Sequence, residues 1–175
     1  AGSEQKNQRK RYHRRHPLLA PTAPFPAHFR YIPCMNWEPL VAAALAARGN
    51  AYAPYSRYPV GAAIATTDGR IFSGCNVENR SYGLTVCAER NALAAAVVAG
   101  ARRAVAVAVV TDSSPPAPPC GLCLQALSEF AKDLPVLLTN IAGERRELRL
   151  SELLPHPFVF EPPNHLAQLA PDPSA

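Results

Sequence analysis

The 175-residue sequence contains no apolar stretch approaching the roughly 20 residues that a membrane-spanning helix needs. It has a single methionine, Met35, and an odd number of cysteines, five. An odd count does not suit a disulfide scaffold, and it favours a reducing compartment. We therefore expect a cytoplasmic protein that has no membrane partner and uses its cysteines for another purpose.

Positive charge is scarce outside the amino-terminal segment. Residues 1–35 hold seven of the 18 Lys and Arg residues and only one acidic residue. The remaining 140 residues hold 11 basic and 12 acidic groups, a net charge of −1. Because a nucleic-acid groove needs clustered positive charge, we expect no nucleic-acid partner.

The two ends of the chain differ in composition from its middle. Residues 1–35 are basic and rich in proline, a composition that cannot bury enough apolar area to fold. We expect a disordered tail over 1–35, a folded domain over 36–162 and a second tail over 163–175. Because Met35 immediately precedes the ordered pattern, we also expect translation to start there naturally, so that residues 1–34 are not native.

Apolar runs and breakers predict an α/β domain. An Asp-Gly pair, Asp68-Gly69, separates two apolar runs and predicts a β-hairpin. The predicted elements are a helix at 37–48, strands at 60–66 and 70–77, a helix at 87–99, a strand at 104–111, a helix at 121–132, and strands at 136–139 and 147–150. Alternating helices and strands of this kind are typical of a layered α/β domain with a mixed sheet.

Three cysteines and one glutamate carry the clearest chemical signal. Cys87 and Glu89 lie in a Cys-Ala-Glu motif, and a Pro-Cys-x-x-Cys motif supplies Cys120 and Cys123. Both motifs fall at predicted helix starts, where unpaired N–H groups and the helix dipole stabilise thiolates. Three thiolates leave the fourth position of a zinc ion open for water, as in catalytic sites. The alternative is a closed structural site, for which Cys75 is the nearest further ligand.

Two charged neighbours complete this predicted site. Glu89 is not a ligand in this interpretation and instead moves protons, although a carboxylate in the first turn of a helix is also favoured by the dipole alone. Three thiolates on Zn²⁺ leave a net charge of −1. Arg90, on the same helix face as Cys87, is predicted to offset it by donating hydrogen bonds to the sulfurs; the alternative is a solvated arginine.

Four segments in this order resemble the small, three-cysteine cytidine deaminases, and the match spans Pro39 to Phe158. They are YSRYPVGAA at 55–63, GCNVEN at 74–79, CAER at 87–90 and PCGLCLQ at 119–125. The resemblance implies a three-layer α/β/α fold with a five-stranded mixed sheet. It further implies a homotetramer with shared active sites, and hydrolytic deamination of free cytidine and deoxycytidine in pyrimidine salvage.

The same resemblance assigns roles to individual residues. It implies one Zn²⁺ per chain on Cys87, Cys120 and Cys123, with Glu89 as the catalytic proton shuttle. It places the substrate against five further residues: Asn76 and Glu78 at the ribose 3′-hydroxyl, the backbone of Ala88 at the base, Tyr58 near the nucleoside, and Phe158 closing the pocket of a neighbouring subunit.

The sequence also departs from the family pattern. Arg80 replaces a small residue, Leu124 replaces a common Arg, and Tyr58 stands where the family usually has Phe. Three other interpretations remain: a blasticidin-type or other nucleoside-analogue deaminase, a nucleic-acid editor, and a zinc-stabilised interaction module without activity. The Asn76-x-Glu78 pair for a free ribose disfavours the first two, and the retained Glu89 disfavours the third.

Overall fold

The computed structural model describes residues 35–160. The predicted tails at 1–35 and 163–175 lie outside the described residues, apart from Met35, as do the last two residues of the predicted domain.

Five helices or helical turns and five strands make up the described chain. In chain order they are α1 (Glu38–Arg48), β1 (Gly61–Thr66), β2 (Ile71–Cys75), a 3₁₀ turn (Tyr82–Leu84), α2 (Ala88–Val98), β3 (Ala104–Thr111), α3 (Gly121–Ser128), β4 (Pro135–Asn140), β5 (Arg145–Arg149) and α4 (Leu150–Leu153). None of the helices within residues 35–160 has the length and apolar character needed to cross a membrane.

The strands form one mixed sheet in the order β2-β1-β3-β4-β5. β1 pairs antiparallel with both β2 and β3, β3 pairs parallel with β4, and β4 pairs antiparallel with β5. The predicted hairpin is confirmed, because Ala65 pairs with Ile71 across the turn and Gly69 has a φ of 81°. The parallel pair β3-β4 requires a crossover connection, which contains α3.

Alternate side chains of the sheet bury two separate cores, so the domain has three layers as expected. On one face, Leu40 and Ala44 of α1 pack with a group of small and branched strand residues: Ala63, Ala106, Ala108, Val110 and Leu137. On the other face, α2, α3 and α4 cover a larger apolar set, including Ile64, Val107, Val109, Val136 and Leu138. β3 is buried on both faces, as its unbroken apolar sequence predicts.

Several predicted boundaries differ from the observed ones: the second strand was expected over 70–77 and spans Ile71–Cys75, and the last was expected from 147 and begins at Arg145. Two further ends were placed too late, and tertiary contacts explain both. The third helix was expected to continue to Lys132, but α3 ends at Ser128. The backbone of Phe130 instead turns back on Leu127 and accepts a hydrogen bond from the N–H of Ala104, at the start of β3. The last strand was expected to include Leu150, whose N–H bonds the carbonyl of Leu134 as α4 begins.

A glycine of β2 sets how closely α2 lies on the sheet. A Cβ atom at Gly74 would stand 2.5 Å from the backbone nitrogen of Ala92 and 2.7 Å from the carbonyl oxygen of Ala88. Backbone atoms of a helix cannot move aside alone, so any side chain here displaces the whole of α2. Because α2 begins at the predicted metal site, the close packing of α2 against Gly74 sets the position of that site.

Replacing Gly74 with alanine is therefore expected to lower the free energy of unfolding by about 1–3 kcal/mol, the usual cost of overpacking. Denaturant unfolding of the purified variant measures this. Gly83→Ala is the matched control, since a Cβ at Gly83 would meet no heavy atom within 4 Å. Equal stability of the two variants would contradict the close-approach argument.

Candidate metal centre and active site

The structure brings the sulfur atoms of three cysteines together. The Sγ atoms of Cys87, Cys120 and Cys123 all lie within 4.8 Å of one another. The Cys87–Cys120 distance is 3.8 Å and the Cys120–Cys123 distance is 3.5 Å. All three are free thiols; Cys123 is buried and Cys120 is exposed. The cluster is thus closed towards the core and open on one side.

Two helix starts deliver these sulfurs. Cys87 is the N-cap residue of α2, and Cys120 is the N-cap residue of α3. Cys123 follows within the first turn of α3, and its N–H bonds the carbonyl of Cys120 at 2.9 Å. The positive ends of two helices therefore face one cluster of sulfur atoms, an arrangement that favours negative charge.

The pKa values of two of the three thiols are shifted in opposite directions. Hydrogen bonds from Cys123 and then Cys120 lower the pKa of Cys87 to about 5, with a smaller contribution from Arg90. The hydrogen bond to Cys87, together with burial, raises the pKa of Cys123. The thiols of the cluster therefore do not ionise independently, as expected of thiols crowded into a site that suits a cation.

Arg90 lies beside the cluster. Its Nη2 donates to the carbonyl of Thr85 at 3.1 Å, and its Nε is buried with no hydrogen-bond partner among the described residues. Interaction with the Cys87 sulfur raises the pKa of Arg90 against the opposing effect of burial, so the guanidinium remains charged. Arg90 is therefore a half-buried cation beside the cluster, and its donation of hydrogen bonds to the sulfurs stays a prediction.

Replacing Arg90 with alanine should weaken zinc retention about 10- to 100-fold, the usual effect of removing a hydrogen-bonding partner of a metal ligand. Competition with a chelator, monitored by a zinc indicator, measures the change. Arg102→Ala is the control, because within residues 35–160 the guanidinium of Arg102 donates its hydrogen bonds to the carbonyls of Val97 and Ala101 and not to the cluster. Unchanged zinc retention and turnover in the Arg90 variant would contradict the predicted role.

Glu89 is an unusual carboxylate because it is almost fully buried. It lies in the first turn of α2 and is 4% exposed. Burial raises its pKa, and the neighbouring Cys87 charge acts in the same direction. A carboxyl group whose ionised form is disfavoured in this way is well suited to accept and return protons.

A cleft of about 350 Å³ lies among the loops at 55–58 and 78–85, lined by Tyr55, Ser56, Glu78, Tyr82 and Thr85. Glu78 is held there by hydrogen bonds from the backbone N–H groups of Tyr55 and Ser56. Asn76 is 8% exposed, and its side-chain amide bonds the N–H of Val60 and the carbonyl of Tyr58. Asn76 thus braces the loop that carries Tyr58.

Tyr58 and Phe158 occupy different surroundings. The Tyr58 hydroxyl pairs with the Ser113 hydroxyl at 2.9 Å, so the group that distinguishes it from the family's usual Phe already has a partner. Phe158 is 72% exposed. Ala88 is fully buried at the start of α2.

Comparisons with known proteins identify the family. The profile described as "Cytidine and deoxycytidylate deaminase zinc-binding region" matches residues 35–138. A cytidine deaminase of Halalkalibacterium halodurans is 48% identical over 131 residues, covering 74% of this chain and 99% of that protein. The chain belongs to the cytidine and deoxycytidylate deaminase family.

Further relatives agree with this assignment. A cytidine deaminase of Mycobacterium tuberculosis is 42% identical over 135 residues, covering 74% of this chain and 95% of that protein. The crystal structure of a cytidine deaminase from Burkholderia pseudomallei superposes with a TM-score of 0.68 at 50% identity, covering 71% of this chain and all of that one. The predicted family and fold are confirmed, and the blasticidin-type alternative is not favoured.

The cysteine cluster fits the zinc ion of this family. Thiolates arranged tetrahedrally around zinc at about 2.3 Å lie about 3.8 Å apart, close to the observed sulfur separations. Cysteine thiolates are common zinc ligands in proteins. Within residues 35–160 these three cysteines form the cluster of metal-binding side chains, and it has no fourth protein ligand. The cofactor of this deaminase domain is zinc.

Sequence reasoning gave no role to two residues that prove well placed. Ser56 bonds Glu78 through its hydroxyl. Gln125 pairs with both backbone groups of Phe158, accepting from its N–H at 2.8 Å and donating to its carbonyl at 2.9 Å. Ser56 and Gln125 both lie inside the motifs quoted above, and this position was the signal in the sequence that could have pointed to them. Their partners lie 22 and 33 residues away, which no local pattern specifies.

Proposed function

We propose that this chain hydrolyses cytidine and deoxycytidine to uridine and deoxyuridine, consuming one water and releasing one ammonia. The observation that carries the proposal is the buried Glu89 directly beside an open cluster of three sulfurs at two helix starts. Family membership supports the same chemistry.

Cys87, Cys120 and Cys123 hold the zinc ion, and Arg90 offsets part of their negative charge. Bound zinc supplies Lewis acidity that makes water a nucleophile near neutral pH. Glu89 takes a proton from the water that attacks C4 of the pyrimidine and delivers it to ring N3. It then carries the second proton of that water, from the new C4 hydroxyl, to the C4 amino group; the C4–N bond breaks, ammonia leaves and the C4 carbonyl forms.

Other residues orient the nucleoside. Asn76 and Glu78 bind the ribose 3′-hydroxyl, the backbone of Ala88 contacts the base, and Tyr58 lies near the nucleoside. The ionised Glu78 supports this role, since hydrogen bonds from Ser56 and Tyr55 lower its pKa and leave it a pure acceptor for hydroxyl donors. Residues 36–162 form the deaminase domain in this proposal.

The assembly is a homotetramer with shared active sites, in which Phe158 closes the pocket of a neighbouring subunit. Its 72% exposure and its fixed backbone support that role. The enzyme acts in the cytoplasm in pyrimidine salvage, on free nucleosides. Light scattering coupled to gel filtration tests the assembly, and a monomer that turns over cytidine normally would contradict shared sites.

Ultraviolet absorbance of the purified protein with cytidine, deoxycytidine, cytosine or a cytosine-containing oligonucleotide tests the activity. The two nucleosides should be converted with release of ammonia, and the free base and oligonucleotide should not. Zinc analysis of the same sample should find about one ion per chain. Conversion of the oligonucleotide alone would favour a nucleic-acid editor and overturn the proposal.

A further inference from the structure

Ser56 links the two sides of the cleft beside Glu78. Its hydroxyl donates to Oε1 of Glu78 and accepts a hydrogen bond from the backbone N–H of Tyr58 at 3.0 Å. The single hydroxyl proton is therefore directed at the carboxylate, because the N–H of Tyr58 can only donate. Ser56 thus connects the carboxylate to the backbone of the loop that carries Tyr58.

The hydrogen bonds to Glu78 leave little of its acceptor capacity free. Oε2 accepts from the N–H groups of Tyr55 and Ser56, at 3.0 and 3.2 Å. Oε1 accepts from the Ser56 hydroxyl. A carboxylate oxygen has two acceptor positions, so the protein fills both positions of Oε2 and one of Oε1. The remaining position belongs to the oxygen that Ser56 orients.

We propose that Ser56 is a positioning residue that holds Glu78 with one free acceptor position, matched to a single sugar hydroxyl of the substrate. The two backbone N–H groups anchor only Oε2, and rotation about the terminal bond of Glu78 would otherwise move Oε1. The Ser56 hydroxyl removes that freedom, so the ligand hydroxyl meets an acceptor that is already oriented. This inference rests on the proposed function, and it adds a determinant of sugar selectivity.

Steady-state kinetics with cytidine and 3′-deoxycytidine provide the test. Ser56→Ala should raise KM for cytidine about 10-fold with kcat changed less than about 2-fold, because a lost charge-assisted hydrogen bond weakens binding. KM for 3′-deoxycytidine should stay within about 2-fold of wild type, because this substrate has no 3′-hydroxyl to place. A merely structural role would alter both substrates equally.

Two further variants tie the effect to Glu78. In a Glu78→Gln background, Ser56→Ala should add less than about 2-fold to KM, since residues acting through one another are not additive. Ser56→Thr keeps the hydroxyl and should restore KM for cytidine to within about 3-fold of wild type. Ser73→Ala, an exposed serine of β2 with no side-chain hydrogen bond in the described chain, is the control and should match wild type.

The outcomes separate this inference from the function on which it rests. Wild-type protein that deaminates neither cytidine nor deoxycytidine overturns the proposed function, and the inference with it. Wild-type protein that is active, with Ser56→Ala showing an unchanged cytidine KM or equal changes for both substrates, overturns the inference alone. If Ser56→Ala is too unstable to assay, a Ser56→Thr variant without a wild-type-like KM also overturns it.

Discussion

Replacing Glu89 with glutamine should reduce turnover of cytidine by about 10²–10⁴-fold while the protein still binds about one zinc ion per chain. Glutamine has nearly the shape of glutamate, so it fills the same buried space in the first turn of α2. It cannot accept and return a proton, so it removes the relay between water, ring N3 and the leaving amino group. Single-turnover absorbance changes and zinc analysis measure the two quantities separately.

The control for this variant is Glu129→Gln. Glu129 is an exposed carboxylate at the carboxyl end of α3, opposite the end at which Cys120 and Cys123 lie. It should keep wild-type turnover. Near-normal deamination by the Glu89 variant would remove the mechanism, whereas loss of zinc together with activity would show that Glu89 supports the metal site instead of moving protons.

Replacing Cys123 with alanine should lower bound zinc from about one ion per chain to less than about 0.1 and abolish turnover. Cys123 is the innermost sulfur of the cluster, with no exposed surface. Its loss leaves two thiolates, one of them exposed at the start of α3. Because zinc binds the folded chain, its binding free energy also stabilises the fold.

Thermal unfolding with and without a chelator completes this experiment. The chelator should lower the midpoint temperature of unfolding of the wild-type protein. It should leave the midpoint temperature of Cys123→Ala unchanged, since the variant has no bound zinc to lose. Cys75→Ala is the matched control, because Cys75 is a half-buried thiol of β2 outside the cluster. Retention of a full complement of zinc by Cys123→Ala would exclude it as a ligand.

Local sequence signals predicted most of the fold. The apolar run of β3 was predicted with its observed bounds, Ala104–Thr111, and the Asp-Gly turn predicted the β1-β2 hairpin. The end of α3 was missed because helix-forming residues continue past Ser128. There the hydrogen bond from Ala104 to the carbonyl of Phe130, between residues distant in the chain, decides the backbone path.

The sequence alone determined the chemistry available to this protein. The cysteines lie at predicted helix starts, and Glu89 follows Cys87 by two residues. These are local features, and they can be recognised because residue spacing along a helix is regular. Metal binding was therefore predictable before any fold was known, and proton transfer by Glu89 is a prediction from the same pattern.

Only the tertiary structure decided which groups meet and how they are held. It brings the Sγ atoms of Cys87 and Cys120 to 3.8 Å and buries the Glu89 side chain. It also forms the hydrogen bonds between Ser56 and Glu78 and between Gln125 and Phe158. Each of these contacts depends on helices and loops packed around one sheet, through backbone distances such as the close approach at Gly74. Such distances depend on the packing of the whole domain, and no local spacing encodes them.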